Sequence, residues 1–127
     1  MFLMEYISKI YEGGRIIIPR EIVRDFPSLE SPGFIIGELI RGKYPRVELG
    51  LNGEFELYMD KKRNMILPED IIKVLKLEDR VRIVGPNELD EIVQIWDPVI
   101  YDRYSTYMAK YGDKNKLLVP GQSYFSE

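Results

Sequence analysis

Three clusters of basic side chains are the groups of this chain best suited to chemistry with a partner: Lys9, Arg15, Arg20 and Arg24; Arg41, Lys43 and Arg46; and Lys61, Lys62 and Arg63. Grouped cations neutralise phosphates, and arginine adds a planar fork of donors that matches guanine. Solvated loops and helix faces carry the same residue types, so each cluster taken alone also has that plainer reading. Catalysis is poorly provided for. The 127 residues include no histidine and no cysteine, which removes the commonest general base, the thiolate nucleophile, disulfides and the usual zinc ligands. Carboxylate, lysine, tyrosine and serine chemistry remains, but no motif groups those residues in a catalytic arrangement. The chain is expected not to be an enzyme and to use neither a metal nor a cofactor.

The formal net charge is −3, from 18 basic and 21 acidic residues, which at first argues against a phosphate-binding surface. The charge is segregated, however. Residues 84–102 hold five acids, Glu88, Asp90, Glu91, Asp97 and Asp102, and no base; the remainder has 18 bases against 16 acids. With 45% hydrophobic and 31% charged residues, the composition is that of one folded domain. No apolar run approaches the ~20 residues of a bilayer span, and the start from Met1 to Tyr6 lacks the basic flank and cleavage site of a signal peptide. A cytoplasmic location is expected.

An internal repeat organises the chain. The stretch from Gly13 to Arg24, GGRIIIPREIVR, lies on Lys62 to Lys73, KRNMILPEDIIK, at a constant offset of 49. Ile17 with Ile66, Pro19 with Pro68 and Ile22 with Ile71 are identical, and most other pairs keep their character. The register reaches upstream, where Glu5-Tyr6 falls on Glu54-Phe55, and downstream, where Phe34-Ile35-Ile36 falls on Ile83-Val84-Gly85.

Each unit reads as strand, polar turn, short β-branched strand, proline, short helix, strand. The second strands, Ile16 to Ile18 and Met65 to Leu67, are apolar on both faces and so are expected to be buried. Pro19 and Pro68 stand where helices begin, over Arg20 to Asp25 and Glu69 to Leu75. Ile22, Val23 and Phe26, matched by Ile71, Ile72 and Leu75, give each helix one apolar face. Further strands are expected at Arg46 to Leu49, Glu54 to Met59 and Glu91 to Trp96. Breakers at Ser31-Pro32-Gly33, Leu51-Asn52-Gly53 and Gly85-Pro86-Asn87 separate them. Asp97 can cap a last helix, with Pro98 in its first position, that runs to Tyr111 before Gly112 stops it. Units of this size bury little core alone, so the two copies, about 4–50 and 53–97, are expected to interlock into one β-rich α+β domain with pseudo-twofold symmetry, residues 1–112 in all. The tail, 113–127, is expected to be mobile.

The pattern turn-Gly-Arg-apolar-apolar-apolar-Pro plus helix, present twice and closing on Ile95-Trp96-Asp97, resembles the MraZ family, tandem members of the SpoVT/AbrB-type DNA-binding superfamily. The resemblance covers about residues 4–108 and is best in the second half, from Gly53 through Asp60-Lys61-Lys62 and Ile66-Leu67-Pro68 to Val84-Gly85. Repeats of that family carry D-x-x-x-R, usually D-x-K-G-R. Here the first copy reads Tyr11-Glu12-Gly13-Gly14-Arg15 and the second Asp60-Lys61-Lys62-Arg63-Asn64. Arg63 at the glycine position implies strain or a changed loop, with Asn64 a candidate for the turn role.

The resemblance implies a swapped-hairpin barrel and a sequence-specific transcriptional regulator. It implies a ring-shaped homo-oligomer that binds short direct repeats of double-stranded DNA upstream of its own cell-division and cell-wall operon, in the nucleoid. By motif position, Arg15 and Lys62 would carry the DNA contacts; Arg63 is added from its charge and its place in the same loop. For Arg15 a structural ion pair with Asp60 of the other unit stands beside that role.

The other features have plainer readings. Tyr101, Tyr104, Tyr107, Met108 and Tyr111 form a helical stripe that covers either a neighbouring subunit or its own domain. The segment Arg41-Gly42-Lys43-Tyr44-Pro45-Arg46 reads as a solvated hairpin tip. The alternative to DNA binding is an oligomeric scaffold or protein-partner-binding module of the same fold, antitoxin-like, engaging its partner through the C-terminal helix and tail. The acidic balance and the two altered motifs favour that alternative.

Overall fold

The computed structural model describes residues 5–26, 32–50, 53–85 and 92–115. Among the described residues eight strands and three α-helices follow one another, with a 3-10 turn at Glu12–Gly14, in the order β1 (Glu5–Lys9), β2 (Arg15–Ile17), α1 (Arg20–Arg24), β3 (Gly33–Ile40), β4 (Arg46–Leu49), β5 (Phe55–Met59), β6 (Asn64–Ile66), α2 (Glu69–Leu75), β7 (Arg80–Val84), β8 (Val93–Trp96) and α3 (Pro98–Asn115). The strands form one sheet in the order β1-β7-β8-β4-β3-β5-β6-β2, and the pairings among the described residues are antiparallel. The end strands β1 and β2 also touch, so the sheet nearly closes into a barrel. The architecture is β-rich α+β.

The register shows how the two units meet. β1 of the first unit pairs with β7 of the second, and β5 of the second pairs with β3 of the first. β2 and β6 pair through Ile16 opposite Met65, residues that are themselves equivalent at offset 49. At the other seam, β4 and β8 pair through Glu48 opposite Gln94. The downstream alignment needs correction. Ser8 pairs with Val81 and Leu57 with Ile35, so Val81, not Val84, is the counterpart of Ile35, and the offset there is 46 rather than 49. The first unit therefore spends three more residues than the second between its turn and β3.

Inside the sheet the alternation of a half-buried strand holds. Ile16, Val47, Leu49, Met59, Met65, Val81, Ile83, Val93 and Ile95 are fully buried, and Ile18, Ile22 and Phe26 with Leu67, Ile71 and Leu75 close the core beneath the short helices. Neither α1 nor α2 is long enough to be stable alone, so this packing holds them helical. β2 and β6 are not buried on both faces as expected: Ile66 is 54% exposed, because a nearly closed sheet has an outside to which every second side chain turns.

A second apolar cluster lies under α3, outside the main core. Tyr44, Val84, Trp96, Ile100 and Tyr101 are buried there, with Tyr104 and Tyr107 packed against them. Trp96 meets Tyr104 and Tyr101 at ring-centroid distances of 5.1 Å each. Tyr101, Tyr104 and Tyr107 of the tyrosine stripe thus cover their own domain, while Tyr111 is exposed. The Asp97 carboxylate caps α3 by accepting from the Val99 and Ile100 amides at 3.1 and 3.0 Å. The helix does not stop at Gly112 but continues to Asn115, since a lone glycine costs a helix only about 1 kcal/mol; the expected tail residues 113–115 therefore belong to α3, and 116–127 lie outside the described residues. The breakers at 31, at 51–52 and at 86–87 also fall outside them.

The expected solvated tip at 41–46 is only partly one. Arg41, Gly42 and Lys43 are exposed, but Tyr44 belongs to the second cluster and Arg46 is 1% exposed. Its Nε lies 3.3 Å from a Glu48 carboxylate oxygen and its Nη1 donates to the Tyr44 carbonyl at 3.0 Å. Glu48 in turn accepts from Gln94 Nε2, and Gln94 accepts from Trp96 Nε1, both at 3.0 Å.

Candidate nucleic-acid interface

Two turns, Tyr11 to Arg15 and Asp60 to Asn64, lead into β2 and β6 and lie at the two ends of their three-residue antiparallel ladder, where Arg15 faces Ile66 and Ile17 faces Asn64. Their backbones are built alike. In the first, Gly14 N–H donates to the Tyr11 carbonyl at 3.1 Å and Tyr11 N–H to the Arg15 carbonyl at 2.7 Å; in the second, Arg63 N–H donates to the Asp60 carbonyl at 2.9 Å and Asp60 N–H to the Asn64 carbonyl at 3.0 Å. Each turn is then tied to the other unit, by Leu67 N–H to the Gly14 carbonyl at 2.8 Å and Ile18 N–H to the Arg63 carbonyl at 2.9 Å. These bonds fall on equivalent positions throughout.

Gly14 and Arg63 occupy equivalent places, and both have left-handed backbone, with φ of 82° and 68°. That answers the sequence alternative: the loop keeps its shape and Arg63 bears the strain. Asn64 does not take the turn role, since among the described residues only Arg63 and Lys76 have positive φ without being glycine. Glycine is required at 14 for a second reason. A Cβ there would lie 2.5 Å from the Leu67 carbonyl oxygen.

The side chains differ between the turns. Arg15 Nη1 donates to Asn64 Oδ1 at 2.8 Å, and its guanidinium lies 4.3 Å from the centre of the Tyr11 ring. Asn64 is held in turn by Asp60, whose carboxylate accepts from its Nδ2 at 3.0 Å and from its backbone N–H at 2.9 Å. The expected alternative of an Arg15–Asp60 ion pair is therefore replaced by a chain, Arg15 to Asn64 to Asp60. Asp60 also accepts from the Lys62 N–H at 2.8 Å, which leaves the Lys62 ammonium exposed on the turn. Arg63 Nε donates to the Ile18 carbonyl at 3.0 Å. Of the three residues singled out by sequence, Arg15 thus reaches across to Asn64 of the second turn, which carries Lys62 and Arg63; the two linked turns make up the rim. Sequence reasoning missed Tyr11 and Asn64 as partners of Arg15. The signal was present, because an antiparallel pairing through Ile16 and Met65 sets Arg15 and Asn64 diagonally across the two strands on one face, within reach of a long side chain.

Among the described residues none of Lys9, Arg15, Lys61, Lys62 and Arg63 forms a salt bridge. The rim therefore holds cations without carboxylate partners in salt-bridge contact, and arginine and lysine in that state can neutralise phosphates or donate to base edges. No group of three or more histidine, cysteine or acidic side chains suited to a metal ion occurs among the described residues, and no helix there is long and apolar enough to cross a membrane.

The Asp60 carboxyl is held below the usual carboxylate range, first by the hydrogen bond from the Asn64 backbone, then by the Asn64 amide, with Lys62 adding to both. A depressed folded-state pKa contributes stability that is fully present above the ordinary carboxylate value of about 4 and is lost as pH falls through the folded value. Asp60→Ala should therefore melt below the wild type at pH 7, with the gap narrowing in thermal scans as the pH falls below the ordinary carboxylate range. A gap independent of pH would contradict the carboxylate's role.

No protein-family model matches this chain, and no curated protein matches it.

Proposed function

We propose that the chain is a sequence-specific DNA-binding transcriptional regulator of MraZ type, built as a pseudo-twofold swapped-hairpin barrel of the SpoVT/AbrB kind. In this reading it acts in the cytoplasm at the nucleoid, as a homo-oligomer on short direct repeats of double-stranded DNA upstream of its own cell-division and cell-wall operon. It is not an enzyme and uses no cofactor. The observation that carries the reading is that Arg15, Lys62 and Arg63 sit on two equivalent, cross-tied turns and that none of these three forms a salt bridge among the described residues. Arg15 donates to a guanine edge, Lys62 contacts phosphate, and Arg63, whose Nε is occupied, offers its terminal nitrogens to phosphate. Repeated copies of a weak contact bind spaced sites strongly through effective concentration.

The test is the salt dependence of binding. Lys62→Ala should weaken binding uniformly across sequences and reduce the slope of log affinity against log salt by about 1. Arg15→Ala should cost about 1–3 kcal/mol and relax sequence preference. Unchanged affinity and slope in both variants would contradict the reading.

The second reading, an oligomeric scaffold or protein-binding module that has lost DNA binding, has its own observation. Phe34, Tyr58 and Ile66 are 65%, 49% and 54% exposed on β3, β5 and β6, with the Phe34 and Tyr58 rings 5.1 Å apart. Apolar groups gathered in this way mark a face for protein contact.

A further inference from the structure

We infer that this chain reads bases with one turn only, and that Tyr11 and Asn64 are the positioning residues that fit Arg15 for it; the inference rests on the DNA-binding reading. The two turns share a backbone but not a reader. Where the first carries Arg15, the second carries Asn64, and the two side chains are bonded to each other at 2.8 Å. A position that in a symmetric pair would supply a second base contact here orients the first.

Two contacts hold the guanidinium. Asn64 Oδ1 takes one donor, and Asn64 cannot swing away, because Asp60 accepts from both its amide nitrogen and its backbone. The Tyr11 ring takes one face of the guanidinium at 4.3 Å, an arrangement that favours a planar cation over a flexible ammonium. Tyr11 occupies the place equivalent to Asp60, so each turn supplies one half of the clamp. Arginine has five donors in a fixed fork, and fixing one edge and one face pre-orders the remaining donors before any partner arrives. Pre-ordering lowers the entropy lost on binding and sharpens discrimination between bases.

Arg63 is held differently. Its Nε is bonded to the Ile18 carbonyl of the other unit, which makes the side chain a staple between turn and strand. Its contribution to DNA is then charge, without base preference. Each protomer accordingly reads a single asymmetric element, and repetition of that element in one direction, not a palindrome, is what an array of such protomers would recognise.

The experiment uses the full chain and a library of random-sequence duplexes, followed by anisotropy titration of the enriched duplex and a scrambled one at two salt concentrations. The wild type should enrich a motif without internal palindromy. Asn64→Ala and Tyr11→Leu should lower the preference for the enriched duplex by about tenfold, while affinity for the scrambled duplex and the salt slope stay unchanged. Tyr11→Phe keeps the ring and should keep the preference. Arg63→Gly restores the residue type of the equivalent turn and should keep the preference while weakening both duplexes together. A merely structural role for Asn64 or Tyr11 would lower both affinities in step and would not be rescued by phenylalanine. Retained preference in Asn64→Ala and Tyr11→Leu overturns the inference while DNA binding stands, as does loss of preference in Arg63→Gly. A wild type that enriches nothing overturns the DNA-binding reading, and this inference with it.

Discussion

Glu48→Ala should destabilise the protein by about 3–5 kcal/mol in urea unfolding, because it strips a carboxylate from a buried guanidinium. Arg46 is 1% exposed, cannot lose its proton, and lies 5.6 Å from the centre of the Trp96 ring. Glu48 also accepts from Gln94, which accepts from Trp96, so the substitution removes an acceptor from two donors at once. These residues lie at the seam where β4 meets β8 and at the base of α3. The contrasting variant replaces both charges, Arg46→Met with Glu48→Leu. It should recover most of the loss, since a buried ion pair exchanged for apolar groups of similar volume is often near neutral. A loss below about 1 kcal/mol for the single variant would mean that water reaches Arg46.

Gly14→Ala should be the other severe substitution, at about 2–4 kcal/mol from left-handed backbone plus overpacking. The equivalent residue, Arg63, tolerates a φ of 68° with a full side chain. Backbone conformation alone therefore does not forbid alanine at 14. The decisive factor is the Leu67 carbonyl oxygen, 2.5 Å from the added Cβ. That oxygen belongs to backbone of the other unit, and moving it disturbs the bond from Leu67 N–H to the Gly14 carbonyl. Equilibrium unfolding at neutral pH checks the value; a loss under about 1 kcal/mol would show that the two turns can shift apart without cost.

The parts of the fold legible in the sequence were those fixed by local chemistry. Turn, proline and short helix recur because a tight turn, a fixed φ and an amphipathic stretch each leave marks at set spacing. Pairing between the units left a fainter mark. Offset 49 predicts that equivalents meet across an axis, yet nothing local records that the first unit is three residues longer before β3, and so the alignment slipped by three.

Burial of Tyr44 and Arg46 was not legible. It depends on α3, which has no counterpart in the first unit and which brings Tyr104 and Tyr107 onto a segment that reads locally as a polar tip. At the rim, charge and motif position marked Arg15, Lys62 and Arg63, but only their neighbours across the seam distinguish them: one clamped by Tyr11 and Asn64, one exposed, one stapled to Ile18. Residue type gives the chemistry a side chain can do, whereas pairing between distant strands decides which side chain is held ready to do it.

The most direct test of the DNA-reading rim is an anisotropy titration of the purified protein on the duplex immediately upstream of its own gene, beside a scrambled duplex of the same composition, at low and near-physiological salt. Binding to the upstream duplex that persists at the higher salt, while binding to the scrambled duplex fades, is the predicted result. Equal binding to both, or binding to neither, would contradict it.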